Sequence, residues 1–352
     1  MKNPVFLPYL AAGAAIAALA GLGAAPALAA DASPESLDPG VLVAPVLTLD
    51  QAASQPASAP AQPAGPRLFP DPDAKGPPLP FHTIEGYGGG AITPIAYLVN
   101  NPGKDTAIGL PSVAFSYVNA GSKDLEALTI SQTFFGRLEL SYGADRFGVG
   151  GLRGALIKAT QKDIGTDVWL HNFNARVALL DEGAFGQDWL PAVTAGVHFK
   201  YNPDIERINN QLGNALGSIG YRRNSGEDFT LTISKMFPKV FDRPLIVSAG
   251  VRASQASQLG ILGFSDQWSA TFEGNIVYLP TDWLVVAYEF RQKNDPYGRI
   301  PGLIGGEDNW HAFDVSWIIN KHATLVAGYG IFGTLANGEA NSSFWLQLKF
   351  EF

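Results

Sequence analysis

The 352-residue chain has no cysteine, only 2 methionines, and charge on just 16% of its residues. Without cysteine it can form no disulfide, no thiolate metal site and no cysteine nucleophile, and it offers no thiol for lipid attachment after processing. So few charges beside 46% hydrophobic residues do not describe a disordered polymer. Positive charge is the scarcer sign: 24 Lys+Arg stand against 32 Asp+Glu, a net charge of −8, which argues against nucleic acid as a partner because phosphate binding needs a cationic surface. After Phe81 no apolar run reaches the roughly 18 residues that a membrane-spanning helix requires.

What is plentiful points to strands joined by turns: 39 Gly, 21 Phe, 11 Tyr and 7 Trp. The first thirty residues carry Lys2, an apolar stretch from Leu10 to Leu22, and Ala27-Leu28-Ala29-Ala30 before Asp31. This is the layout of a cleaved secretory signal over residues 1–30; Pro26 and the small residues suit cleavage better than the alternative, an N-terminal anchor. Residues 31–80 hold 12 of the 25 prolines and read as a disordered Pro/Ala-rich linker, a tether that cannot bury enough apolar surface to offset its ordering entropy. A plain spacer is the simplest role for it, and contact with a periplasmic partner is the functional alternative.

From residue 81 to 352 the pattern alternates with period two. Phe344, Leu346, Leu348, Phe350 and Phe352 share one face, with Ser343, Gln347, Lys349 and Glu351 between them and Trp345 as the exception. Leu284, Val286, Tyr288 and Phe290 alternate with Ala287, Glu289, Arg291 and Lys293, and Leu245, Val247, Ala249 and Val251 stand against Ser248 and Arg252. About 12 such segments can be drawn, within a range of 10 to 14.

A soluble sandwich also alternates. Three features favour an all-β transmembrane antiparallel up-and-down β-barrel facing outer-membrane lipid. Many segments are long enough to cross a bilayer at a tilt. The aromatics Trp169, Trp189, Tyr201, Trp268, Tyr278, Trp283, Trp310 and Trp317 mostly fall near segment ends, where interfacial girdles lie. The connections also alternate in length. A moderately long loop after the first segment and a tight Phe134-Phe135-Gly136 turn precede long excursions at 145–167, 202–226, 256–266, 294–308 and 333–341, which alternate with short turns. Only 181–188 blurs the rule. An even strand count then places both chain ends on the periplasmic side.

Twelve strands about 4.7 Å apart, tilted about 40°, close to a backbone radius of about 12 Å. The lumen-lining candidates are Arg137, Glu139, Asn172, Asn174, Arg176, His198, Lys200, Arg252, Glu273, Glu289, Arg291, Asp314, Lys349 and Glu351. Both signs occur. Such an interior either passes small polar solutes with weak charge preference or is filled, its opposite charges paired. From this facing, Leu348→Arg is expected to cost about 2–4 kcal/mol where residue 348 meets lipid near the midplane, and Gln347→Arg is expected to be mild.

Two segments could constrict the passage. Ile205, Ile208, Leu212 and Leu216 have helical spacing between Asp204, as N-cap, and Gly217, as stop. This helix either folds over the mouth or packs against the rim. The stretch Ile84-Glu85-Gly86-Tyr87-Gly88-Gly89-Gly90-Ala91-Ile92-Thr93-Pro94 lacks the Lys-Ser/Thr of a phosphate loop, and Thr93-Pro94 discourages the helix such a loop needs. It reads as a Gly-rich segment tucked into or against the barrel.

That stretch, together with Phe115-Ser116-Tyr117-Val118 and Arg137-Leu138-Glu139-Leu140-Ser141-Tyr142, resembles a proteobacterial family of secreted proteins with no assigned function. Its Gly-rich Thr-Pro entry is also similar to that of outer-membrane proteins linked to exopolysaccharide export. Phe352, closing the last strand, resembles the terminal signal by which bacterial outer-membrane barrels are recognised, which implies the barrel-assembly machinery as a partner. No catalytic residue comes with these resemblances.

An enzyme is not expected. His82, His171, His198, His311 and His322 sit in no hydrolase-like neighbourhood, no His-x-x-x-His or acidic metal loop occurs, and no cofactor motif is present. The reading is a passive channel or uptake pore for small polar solutes. Its alternative is a plugged barrel acting as an accessory or structural component of an envelope or exopolysaccharide export system.

Overall fold

The computed structural model describes residues 78–352 together with Leu68. The signal sequence and nearly all of the proline-rich linker expected from the sequence lie outside the described residues.

Twelve antiparallel strands form one closed barrel: β1 (Ser112–Ala120), β2 (Lys123–Phe134), β3 (Leu138–Gly148), β4 (Asp167–Leu180), β5 (Ala192–Tyr201), β6 (Ser225–Val240), β7 (Arg243–Ala256), β8 (Phe264–Tyr278), β9 (Leu284–Arg291), β10 (Trp310–Ile318), β11 (Ala323–Ile331) and β12 (Ser343–Glu351). Each strand pairs with its neighbours in sequence. The ring closes where β12 meets β1, in register from Phe344 opposite Asn119 to Glu351 opposite Ser112. Closure leaves no unpaired sheet edge, which is what permits a β-structure to sit in hydrocarbon.

The period-two pattern has a direct cause. Side chains of one parity point outward and stay exposed although they are large and apolar, among them Phe115, Leu128, Phe173, Phe272, Phe313, Leu346 and Leu348. Those of the other parity point inward and are buried although many are polar. This inversion of the soluble pattern is a lipid-facing belt around a hydrophilic interior. Trp169, Trp189, Trp283 and Trp317 are exposed near strand ends, as a girdle requires. Trp310 is not part of it. It is buried at the start of β10, against Phe332 and beneath the Lys293 ammonium, because it shares parity with the inward Asp314.

Ser112, where β1 begins, and Phe352 share one rim with the connections 135–137, 181–191, 241–242, 279–283 and 319–322, of which only 181–191 is long. The opposite rim carries the long connections 149–166, 202–224, 257–263, 292–309 and 332–342. One expectation fails: β1 and β2 are joined by the two-residue turn Gly121-Ser122, with Ala120 directly opposite Lys123, rather than by a longer loop. The long loops hold helices α1 (Gly151–Thr160), α2 (Ile205–Gln211) and α3 (Ala215–Ile219).

The helix anticipated over 203–217 is thus two pieces, broken where Asn214 takes a left-handed conformation (φ 65°). Nor is Asp204 the side-chain cap. The Asn202 Oδ1 accepts from the Asp204 and Ile205 amides, while Asp204 accepts from the Trp169 amide. No helix among the described residues is long and apolar enough to cross a membrane.

Candidate functional site: a lumen filled by the entry segment

Residues 80–99, just before β1, run up into the barrel and back. Phe81–His82 pairs with Gly88–Gly89, forming a small antiparallel finger whose residues are almost all buried. The segment is poor in side chains where the wall comes closest. A Cβ on Gly90 would stand 2.5 Å from the Glu289 carboxyl, and one on Gly89 would stand 2.1 Å from the Thr93 carbonyl oxygen. Only glycine passes there.

A buried backbone without water must find partners, and the inward side chains of the wall supply them. Glu289 accepts from three consecutive amides, Ala91 (2.6 Å), Ile92 (3.2 Å) and Thr93 (2.8 Å), and from the Thr93 hydroxyl. Glu139 accepts from the Gly88 and Val99 amides at 3.0 and 2.8 Å. Arg176, paired with Glu139, donates to the carbonyls of Gly88 and Ile95. Lys349 donates to the Pro78 and Pro80 carbonyls and pairs with Glu351. Asn174 donates to the Glu85 carbonyl, Asn275 to the Pro94 carbonyl, and Gln347 to the His82 carbonyl.

Charge closes the same way. The wall contributes three bases, Lys200, Arg252 and Arg291, and two acids, Asp228 and Glu273, to one buried ion-paired cluster. The finger supplies the third acid: Glu85 pairs with Lys200 and with Arg291 (2.6 Å). Tyr87 braces it, donating to Glu85 (2.6 Å) and accepting from Arg252 (2.6 Å), with its ring against His198 and within 6 Å of both the Arg176 and Arg252 guanidiniums. Buried charges are tolerable only when paired in this manner.

The lumen candidates therefore fall into two groups. Glu139, Asn172, Asn174, Arg176, His198, Lys200, Arg252, Glu273, Glu289, Arg291, Asp314, Lys349 and Glu351 are all inward and buried. Most of them hold the finger or one another. Arg137 stands apart at the short-turn rim, half exposed, pairing with Asp181. Asp228, Glu85 and Tyr87 were not among the candidates. Asp228 shares parity with the inward Thr230 and was recoverable from the alternation; Glu85 and Tyr87 precede the strands and carry no periodic signal. Among the described residues no group of three or more His, Asp or Glu is placed to hold a metal ion.

The family described as "Protein of unknown function (DUF3034)" matches residues 80–349, which takes in the finger, the first eleven strands and all but the last two residues of β12. No curated protein matches the chain. Among solved structures the chain is similar to the KdgM porin, at 12% identity over 68% of this chain and 99% of that one with a TM-score of 0.42. It is also similar to the NanC porin, at 13% over 69% and 98% with a TM-score of 0.41, and to the outer membrane protein Omp33 of Acinetobacter baumannii, at 9% over 70% and 99% with a TM-score of 0.35.

Proposed function

The chain belongs to the family of unknown function whose match spans its finger and barrel, and we propose that it works in the bacterial outer membrane as a barrel gated by its own entry segment. The exposed apolar belt supports the membrane location. We include in the proposal that residues 1–30 are a cleaved secretory signal and that the proline-rich segment after them is a periplasmic tether, joined directly to the finger.

One observation carries the gate. Glu85 completes a charge cluster that the wall alone leaves with three bases against two acids. In this state the interior groups that would have greeted a solute are spent on the backbone and side chains of residues 80–99. Withdrawal of the finger would bare a lining of both signs, suited to small polar solutes with weak charge preference.

The density of wall-to-finger hydrogen bonds favours a second reading, in which the finger never leaves and the barrel is a structural part of an envelope or export assembly. Planar-bilayer recording separates the two. On the gated reading the full chain is silent at low voltage, and a variant lacking residues 84–94 opens steadily. A wild-type chain that conducts steadily refutes the gate, and a folded deletion variant that stays silent supports the structural reading.

A further inference from the structure

All five long loops send apolar side chains to one place above the finger. Leu152 and Leu156 come from α1, Ile208 from α2, Leu216 from α3, Ile261 and Ile304 from the loops before β8 and β10, and Ala336 from the loop before β12; every one is buried. Between them lies a cavity of about 260 Å³. Loops of this kind are ordinarily polar and solvated, and close packing leaves few voids larger than a water molecule.

The two polar side chains on its wall are turned to other partners. The Thr160 hydroxyl donates to the Leu156 carbonyl (2.7 Å), and the Gln258 amide group donates to the Thr334 carbonyl (3.2 Å). Water needs two to four polar partners to settle in a cavity, and this one offers none of that kind.

We propose that this chamber is a binding site for a small, uncharged apolar molecule. An engineered apolar cavity of about 150 Å³ takes benzene; in proportion, this chamber takes about ten heavy atoms, the size of a two-ring aromatic or a monocyclic terpene. Phe147, Gln258 and Ile261 also border a second, smaller apolar void of about 50 Å³, whose floor is Ile84, Ala91 and Ile92 of the finger. The ligand therefore sits one side-chain layer above the finger. The site is distinct from the polar lumen, and its occupancy does not require the gate to open.

Naphthalene, with ten carbons, is a suitable probe. Calorimetry on the full chain in lipid nanodiscs, with empty nanodiscs as blank, is expected to show saturable one-to-one binding. Ile208→Trp and, from a different loop, Leu156→Trp fill the chamber and should each weaken binding at least tenfold. Either alone suffices should the other fail to fold. The charged analogue 2-naphthoate should bind at least tenfold more weakly than naphthalene, since the wall has no partner for its carboxylate. Three results would each overturn the proposal: no saturable heat above the blank, undiminished binding in a folded filling variant, or equal affinity for 2-naphthoate, which would indicate an amphiphile whose head group stays outside. Conductance is not a readout here, so a failed gate and a failed binding site remain separate outcomes.

Discussion

Removing the Glu289 carboxyl is the sharpest perturbation of the plug. In Glu289→Ala three buried amides, those of Ala91, Ile92 and Thr93, and one hydroxyl lose their acceptor together. A buried polar group left without a partner costs about 1–3 kcal/mol, so three amides alone give about 3–9 kcal/mol before relaxation. Water entering the vacated space recovers part of that, leaving about 2–5 kcal/mol against docking of the finger. At about 1.4 kcal/mol per tenfold, the undocked fraction rises about 30- to 5000-fold. Barrel pairing should survive, because the β8–β9 and β9–β10 ladders are backbone interactions. The assay is single-channel recording beside heat-modifiable migration on gels, which reports barrel integrity. Brief openings absent from the wild type are expected at intact migration. A Glu289→Ala barrel that migrates normally and opens no more often than wild type would show that this cradle does not hold the finger.

Three further outcomes follow from the geometry. Leu348→Arg puts a charge on the lipid face of β12 and should cost about 2–4 kcal/mol near the midplane, read from urea titration of folding into vesicles. Gln347→Arg should not be mild, contrary to the expectation from the strand's facing alone: Gln347 bonds the His82 carbonyl (2.7 Å) and the Ser116 hydroxyl (2.9 Å), so a larger side chain must displace the finger, and added conductance is the readout. In the loop after α1, the hydrogen bonds from the Arg153 guanidinium hold the Asp163 carboxyl well below its usual range. A depressed carboxyl contributes its full share above the ordinary carboxylate range and loses it only as pH falls through the lowered value. Amide protection over 151–166, taken relative to the intrinsic exchange rate at each pH, should therefore be the same at pH 7 and pH 5 in the wild type, whereas equal protection in Arg153→Ala would show that the pair orders nothing.

The barrel was legible because lipid outside and polar groups inside impose period two on every strand, and because the loop lengths alternate with strand parity. Where the reading slipped, local composition masked geometry. Asn119-Ala120-Gly121-Ser122-Lys123-Asp124 is small and polar throughout and looks like a loop, yet only two residues turn. Helix α1 escaped notice because Gly150, Gly151 and Gly154 dilute the spacing of Leu152 and Leu156. Trp310 was assigned to the girdle by its place at a strand end, although its parity with Asp314 puts it inside.

The state of the lumen was not legible, and the reason is chemical. A wall that greets hydrated solutes and a wall that receives a polypeptide backbone need the same residues, because both must supply donors and acceptors to groups that would otherwise lose water. Arg176, Lys200, Glu289 and Lys349 satisfy either demand. What separates the cases is a second chain segment of matching charge and little bulk, and here Glu85 and the run Gly88-Gly89-Gly90 meet that description. Their tuck into the barrel could be read from composition, but not their partners. Pairing Glu85 with Lys200 and Arg291 depends on contacts 115 and 206 residues away, and no local pattern encodes a separation of that length.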